Sequence, residues 1–154
     1  MRLYVDMDGV LADFDTGYLN AFGVRPSKEH DSVDWDLVRS KPDFYRSFPK
    51  MPDADDLWAY IAKYSPIVIT GLPKSLMDVT AYNKNQWISQ HYGQEAADRM
   101  ILCLSAHKFH HCEPGDILID DWNKYRDRWQ KAGGVWITHT SAECTIEKLQ
   151  AMGL

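Results

Sequence analysis

Five short apolar runs, each followed by a stretch of helical character, constrain this chain more than any other feature. They are Leu3-Tyr4-Val5, Pro66-Ile67-Val68-Ile69, Met100 to Leu104, Ile117-Leu118-Ile119 and Val135-Trp136-Ile137. The runs are short and continuously apolar, which suits strands buried on both faces. Strands alternating with helices imply a parallel sheet joined by right-handed crossovers. The fold class expected is α/β: a three-layer, Rossmann-like parallel sheet of about five strands. At 154 residues the chain is expected to be one domain with room for at most a small insertion.

The intervening segments fill in the other layers. Asp13 to Phe22 places Phe14, Tyr18, Leu19 and Phe22 on one helical face and stops at Gly23. Residues 24–52 contain Pro26, Pro42, Pro49 and Pro52, the aromatics Trp35, Phe44, Tyr45 and Phe48, and no apolar strand. They are expected to form a small helical cap inserted after the first strand-helix unit. Asp53 reads as the N-cap of the next helix, with Asp55 and Asp56 in its first turn. Further helices are expected over Ser75 to Tyr92, Trp122 to Ala132 and Thr145 to Met152. In the second of these, Trp122, Tyr125, Trp129 and Ala132 are spaced as a core stripe rather than a nucleic-acid-binding face.

Chemistry concentrates at the strand ends. The first strand finishes in Asp6, with Asp8 and Gly9 just beyond; the second finishes in Thr70-Gly71; the fourth finishes in Asp120-Asp121. Parallel strands bring those ends to one edge, where open α/β sheets bind ligands. A calcium loop starting at Asp6 is excluded, because Val10, Leu11 and Gly17 stand where it needs an acid or amide, Gly and Glu. Asp116 is excluded too. It precedes the fourth strand, and at ~3.3 Å per extended residue it lies roughly 13 Å from Asp120.

Four carboxylates in one crevice repel one another by about 3 kcal/mol per pair at ~6 Å and an effective dielectric of ~20. A divalent cation or a retained proton is needed to offset this. Hard oxygen donors with few histidines point to Mg²⁺. His107, His110, His111 and Cys112 read as a polar loop ahead of Glu113-Pro114-Gly115 rather than a second metal site.

Composition sets the remaining bounds. A net charge of −5 argues against a nucleic-acid polymer or an anionic membrane as partner. No apolar stretch approaches the ~20 residues of a membrane span, and Asp6 interrupts any signal-peptide core. Three cysteines without close pairing fit a reduced, cytoplasmic protein. A homodimer is compatible with the sequence.

In order along the chain, Asp6-Met7-Asp8-Gly9-Val10, Thr70-Gly71, Lys108 and Asp120-Asp121 resemble the four motifs of the haloacid dehalogenase-like phosphohydrolases. Within that superfamily, Asp6 to Phe14 and Asp116 to Asp121 look most like the 5′(3′)-deoxyribonucleotidases; the second motif reads Thr-Gly where those proteins carry Thr-Ser. The resemblance implies Asp6 as nucleophile and Asp8 as general acid and base. It implies Thr70, Gly71 and Lys108 on the phosphate, with Lys74 as the alternative lysine, and Mg²⁺ on Asp6, the Asp8 carbonyl, and Asp120 or Asp121. The substrate implied is a small phosphorylated metabolite, foremost a nucleoside monophosphate. Trp35, Phe44, Tyr45 and Phe48 either stack on its base or form the cap's own core. The alternatives are a sugar phosphate as substrate, or a phosphate- and Mg²⁺-binding regulatory module without catalysis.

Overall fold

The computed structural model describes residues 1–26, 33–75 and 77–154. Strands β1 (Leu3–Val5), β2 (Ile67–Gly71), β3 (Ile101–Cys103), β4 (Ile117–Asp120) and β5 (Val135–Thr138) form one sheet in the order β3-β2-β1-β4-β5. Every pairing is parallel. The order reverses at β1: the chain moves outward through β2 and β3, then returns to place β4 and β5 on the other side. Such a switch point opens a crevice at the carboxyl ends of the strands.

The continuous apolar runs have a direct cause, because both faces of the sheet are covered. Leu3, Val5, Val68, Ile117 and Ile119 pack into the larger core, whereas Tyr4, Ile69 and Leu118 pack with Trp129 on the opposite side. The alternation follows the two-residue pleat of a strand. Asp116, at the start of β4, receives hydrogen bonds from the Arg2 backbone and guanidinium at the far end of the sheet, as its position before the apolar run requires.

The helices are α1 (Phe14–Phe22), α2 (Trp35–Arg39), α3 (Ala54–Ile61), α4 (Met77–Tyr92), α5 (Gln94–Asp98), α6 (Arg126–Lys131) and α7 (Ala142–Ala151). Asp13 caps α1 by accepting from the Thr16 N–H, and Gly23 closes it in the left-handed conformation. Asp53 stands at the N-cap position of α3 but makes no capping bond there. Its Oδ2 instead accepts the Ala142 N–H, capping the first turn of α7. A carboxylate favours any nearby helix N-terminus, and tertiary packing selected the more distant one in sequence.

The stripe expected over Trp122, Tyr125, Trp129 and Ala132 breaks up. Asn123–Tyr125 form a 3₁₀ turn before α6 begins, and only Trp129 is core. A 3₁₀ turn has three residues per turn, so positions on either side of it lose their common face. Trp122 and Tyr125 are half-buried and line the cleft above the strand ends. Of the polar loop expected at His107, His110, His111 and Cys112, the three histidines lie in a 3₁₀ helix, Ser105–His111; His107 and His110 lie exposed while Lys108 turns inward.

Of the cap expected over residues 24–52, residues 27–32 lie outside the described residues. Its described part carries α2 and a 3₁₀ turn, Phe44–Ser47. The turn is tied to α4 by Trp87 Nε1 donating to Phe48 O at 2.8 Å. Phe14, Phe22, Phe44 and Phe48 form an aromatic cluster, with Phe44 at 4.8 Å from Phe48 and 5.3 Å from Phe22 between ring centroids. Phe44 and Phe48 are therefore core and do not border the cleft.

Gly17 in α1 makes room for that cluster, since a Cβ there would lie 2.4 Å from the Phe48 ring. Helix propensity alone makes Gly17→Ala stabilising by about 1 kcal/mol. Overpacking at a buried ring costs about 1–3 kcal/mol, so the expected net result is a lower urea midpoint. A higher midpoint would show that the Phe48 contact yields freely.

Candidate active site

The register that aligns Val5 with Ile119 continues for one residue, with the Asp6 N–H donating to Ile119 O at 2.8 Å. Asp6 therefore lies beside Asp120 without help from any loop. Beyond Asp6 the chain folds into a tight turn. Met7 O accepts the Leu11 and Ala12 N–H groups, and Gly9 adopts φ 77°. Glycine is needed at position 9 for a second reason, because a Cβ there would sit 2.2 Å from Asp121 Oδ2. The turn thus presses directly against the fourth strand's tandem acids.

Carboxylate oxygens of Asp6, Asp120 and Asp121 lie within 4.8 Å of one another. Two buried lysines are threaded among the acids. Lys108 Nζ contacts Asp6 Oδ1 at 2.9 Å and Asp120 Oδ2 at 2.7 Å. Lys84 Nζ bonds Asp8 Oδ2 at 2.5 Å, Thr70 Oγ1 at 2.9 Å and Gly71 O at 2.8 Å. An ammonium has three protons, so Lys84 has engaged all of its donors while Lys108 retains one. Asp120 Oδ1 is steadied by the Trp122 N–H at 2.8 Å. Asp8 Oδ1 is buried with no hydrogen-bond partner among the described residues.

Electrostatics follow from this geometry. Burial, which the Lys108 charge only partly offsets, and the neighbouring acids push Asp6 up to about 8. Burial and then Asp120 push Asp121 up to about 7. For Lys108, burial pulls the ammonium down, but Asp6 and Asp120 outweigh it and hold its pKa raised. Three clustered carboxylates, two of them reluctant to ionise, are the donor set that a hard divalent cation fits. Asp6, Asp120 and Asp121 would hold such an ion; the Asp8 carboxylate is not part of this group and lies instead on Lys84.

The residues singled out in the sequence do not all fall in one place. Asp6, Asp8, Thr70, Gly71, Lys108, Asp120 and Asp121 gather at the strand ends. Lys74 is exposed on the wall of a cleft of about 490 Å³. Trp35 and Tyr45 line the same cleft, together with Trp122 and Tyr125, and that volume suits a small-molecule ligand. Lys84 was not among the expected site residues. The sequence carries a signal for it: Thr80, Asn83, Lys84, Trp87 and Ile88 occupy the i, i+3, i+4, i+7, i+8 face of α4, all buried. A lysine in a buried stripe needs an acid waiting for it.

No family model matches the chain. A putative 5′(3′)-deoxyribonucleotidase of Bordetella bronchiseptica is 27% identical in an alignment covering 84% of this chain and 81% of that protein. The cytosolic-type 5′(3′)-deoxyribonucleotidase of Homo sapiens is 28% identical, covering 82% of this chain and 73% of that protein. Among solved structures, a hydrolase from Streptococcus pneumoniae TIGR4 matches with a TM-score of 0.50 at 11% identity, covering 99% of this chain and 98% of that one. That last likeness concerns the fold alone.

The raised acids give a stability profile. Asp6 and Asp121 keep protons in the folded protein that the unfolded chain, at 3.8, has released, so stability falls as pH rises toward about 8 and about 7. His91 and His139, both lowered by burial, act in the opposite sense, but only below their unfolded value of 6.5. Urea unfolding in EDTA should therefore show declining stability from pH ~6.5 to ~8, flattened in Asp121→Asn. Millimolar MgCl₂ should raise stability most at the upper end of that range. A profile flat in both buffers contradicts the charge cluster.

Proposed function

We propose that this chain, a relative of the 5′(3′)-deoxyribonucleotidases with the fold of the haloacid dehalogenase-like phosphohydrolases, hydrolyses the phosphomonoester of a nucleoside monophosphate. The observation that carries the proposal is the convergence of two differently held carboxylates on one strand end. Asp6 lies against Lys108 and the tandem acids, whereas Asp8 lies against Lys84. Two acids with different surroundings can take two different roles.

Asp6 is the nucleophile. Its carboxylate oxygen attacks phosphorus, the bond to the leaving alkoxide breaks, and an aspartyl-phosphate forms. Asp8 gives its proton to the departing alkoxide, then takes one from the water that attacks the acyl-phosphate and releases inorganic phosphate. Asp6 and Asp8 both return to their starting states. Lys84 holds Asp8 in line with Thr70, and with all three donors engaged it acts as a positioning residue. Lys108 fixes the Asp6 carboxylate against Asp120 and has one proton left for a phosphoryl oxygen. Thr70 Oγ1 accepts from Lys84, so its own proton also remains available.

Asp6, Asp120 and Asp121, with the Asp8 carbonyl, would hold Mg²⁺, which supplies charge neutralisation for the phosphoryl oxygens. Burial and the neighbouring acids hold the Asp6 pKa raised, and a cation would favour its ionised, nucleophilic form, which favours a cation-dependent activity. The aromatic walls of the cleft, Trp35, Tyr45, Trp122 and Tyr125, favour a nucleobase over a sugar.

The test is a panel of nucleoside monophosphates and sugar phosphates, with and without Mg²⁺, on wild type and Asp8→Asn. Mg²⁺-dependent release of phosphate should favour nucleotides, and Asp8→Asn should lower the rate by about 10²–10⁴. Equal rates on sugars and nucleotides remove the nucleotide assignment. A wild type that binds phosphate and Mg²⁺ but turns nothing over makes the chain a regulatory module instead.

A further inference from the structure

One hydroxyl in the cleft takes no part in the steps above. We infer that Ser105 is a phosphate-binding residue, its Oγ filling the place beside the phosphoryl site that a side chain at position 71 would otherwise occupy. The inference rests on the phosphomonoesterase reading and adds a substrate-contacting group to that same site.

Strands β2 and β3 set this arrangement. Gly71 is in register with Cys103, and the Leu72 N–H donates to Cys103 O at 2.8 Å. Two residues after Cys103, Ser105 opens the 3₁₀ helix that carries Lys108. A Cβ built on Gly71 would lie 2.1 Å from Ser105 Oγ and 3.4 Å from Ser105 Cβ. Gly71 is not among the glycines with positive φ, so its backbone does not demand glycine. What a side chain at position 71 would meet first is the serine hydroxyl.

That hydroxyl is placed for a ligand. Ser105 borders the large cleft together with Asp6, Asp8 and Gly71, and a smaller recess together with Lys108 and Asp120. It is half-buried, and its Oγ forms no hydrogen bond with any described residue. Few donors face a phosphoryl group here: Lys108 and Thr70 each have one proton left. Lys84 has no donor left, and β2 contributes a single hydroxyl at Thr70. A phosphate group presents several charged acceptor oxygens, and a hydroxyl donating to one of them makes a strong, charge-assisted bond.

The expected cost of losing a hydrogen bond to a charged group is about ten- to a hundredfold in affinity. The test measures inorganic phosphate binding in MgCl₂ by calorimetry and, independently, as competitive inhibition of phosphomonoester hydrolysis. Ser105→Ala should weaken both by that factor without lowering the melting temperature. The double variant G71S/S105A leaves the new Cβ in ordinary contact with the methyl group that replaces the serine side chain, and it returns a hydroxyl to the cleft. It should recover most of the loss. G71A/S105A fills the same space without a hydroxyl and should remain weak. Ser105→Ala binding phosphate as tightly as wild type overturns the assignment, and so does equal recovery in G71A/S105A. If wild type hydrolyses phosphomonoesters and the variants match it, only Ser105 is reassigned; if wild type neither binds phosphate nor hydrolyses, the parent reading falls as well.

Discussion

Like charges converge where β1 and β4 end, and most of the surrounding structure holds them there. Carboxylate oxygens within 4.8 Å of one another repel by about 3.5 kcal/mol per pair at an effective dielectric of ~20. Two buried ammonium groups, Lys84 and Lys108, offset part of this, each bonded to acids at 2.5–2.9 Å. Four carboxylates against two lysines leave two formal negative charges, the deficit a divalent cation matches. Burial first, and then this crowding of acids, makes Asp6 and Asp121 cling to protons. The two lysines separate the two acids of the first turn. Asp6 lies with Lys108 and the tandem acids, while Asp8 lies on Lys84.

Around that charge cluster the aromatic residues serve both the hydrophobic core and the walls of the cleft. Phe44 and Phe48 close the hydrophobic cluster with Phe14 and Phe22, stabilising the segment above α1 and α4. Tyr45, their neighbour in sequence, is buried with them, its ring centroid 5.0 Å from Phe44 and 5.4 Å from Phe48. It borders the cleft, and Lys84 Nζ lies 4.9 Å from its ring centroid. The same short 3₁₀ turn therefore anchors the cap and lays an aromatic wall beside the proposed general acid. Trp35, Trp122 and Tyr125 complete the opening from two other segments. Hydrophobic packing and the wall of the cleft in this way draw on adjacent residues.

Much of this was legible in the sequence because strands of a parallel sheet announce themselves twice, by an apolar run and by the chemistry at its carboxyl end. Asp6, Thr70 and Asp120 were placed at one edge by that logic. The exclusion of Asp116 followed from counting residues along β4, and its pairing with Arg2 lies at the opposite edge. What sequence could not separate were choices made by tertiary contacts. Asp53 carries the right chemistry for a cap, yet which helix it caps depends on where α7 docks. Trp122 and Tyr125 obey helical spacing on paper, but a 3₁₀ turn rotates them out of the core and into the cleft. Lys84 was hidden for a different reason. Its signature is a charged residue within a buried helical stripe of α4, away from the strand ends.

The claim on which the rest turns is that Asp6 forms a covalent bond to phosphorus. The direct measurement is acid quenching during turnover of a nucleoside monophosphate radiolabelled at phosphorus, in MgCl₂, followed by proteolysis and mapping of the label. The expected result is acid-stable label on the amino-terminal peptide carrying Asp6, absent from Asp6→Asn. Steady hydrolysis with no label on that peptide, or with label on a different residue, would contradict it.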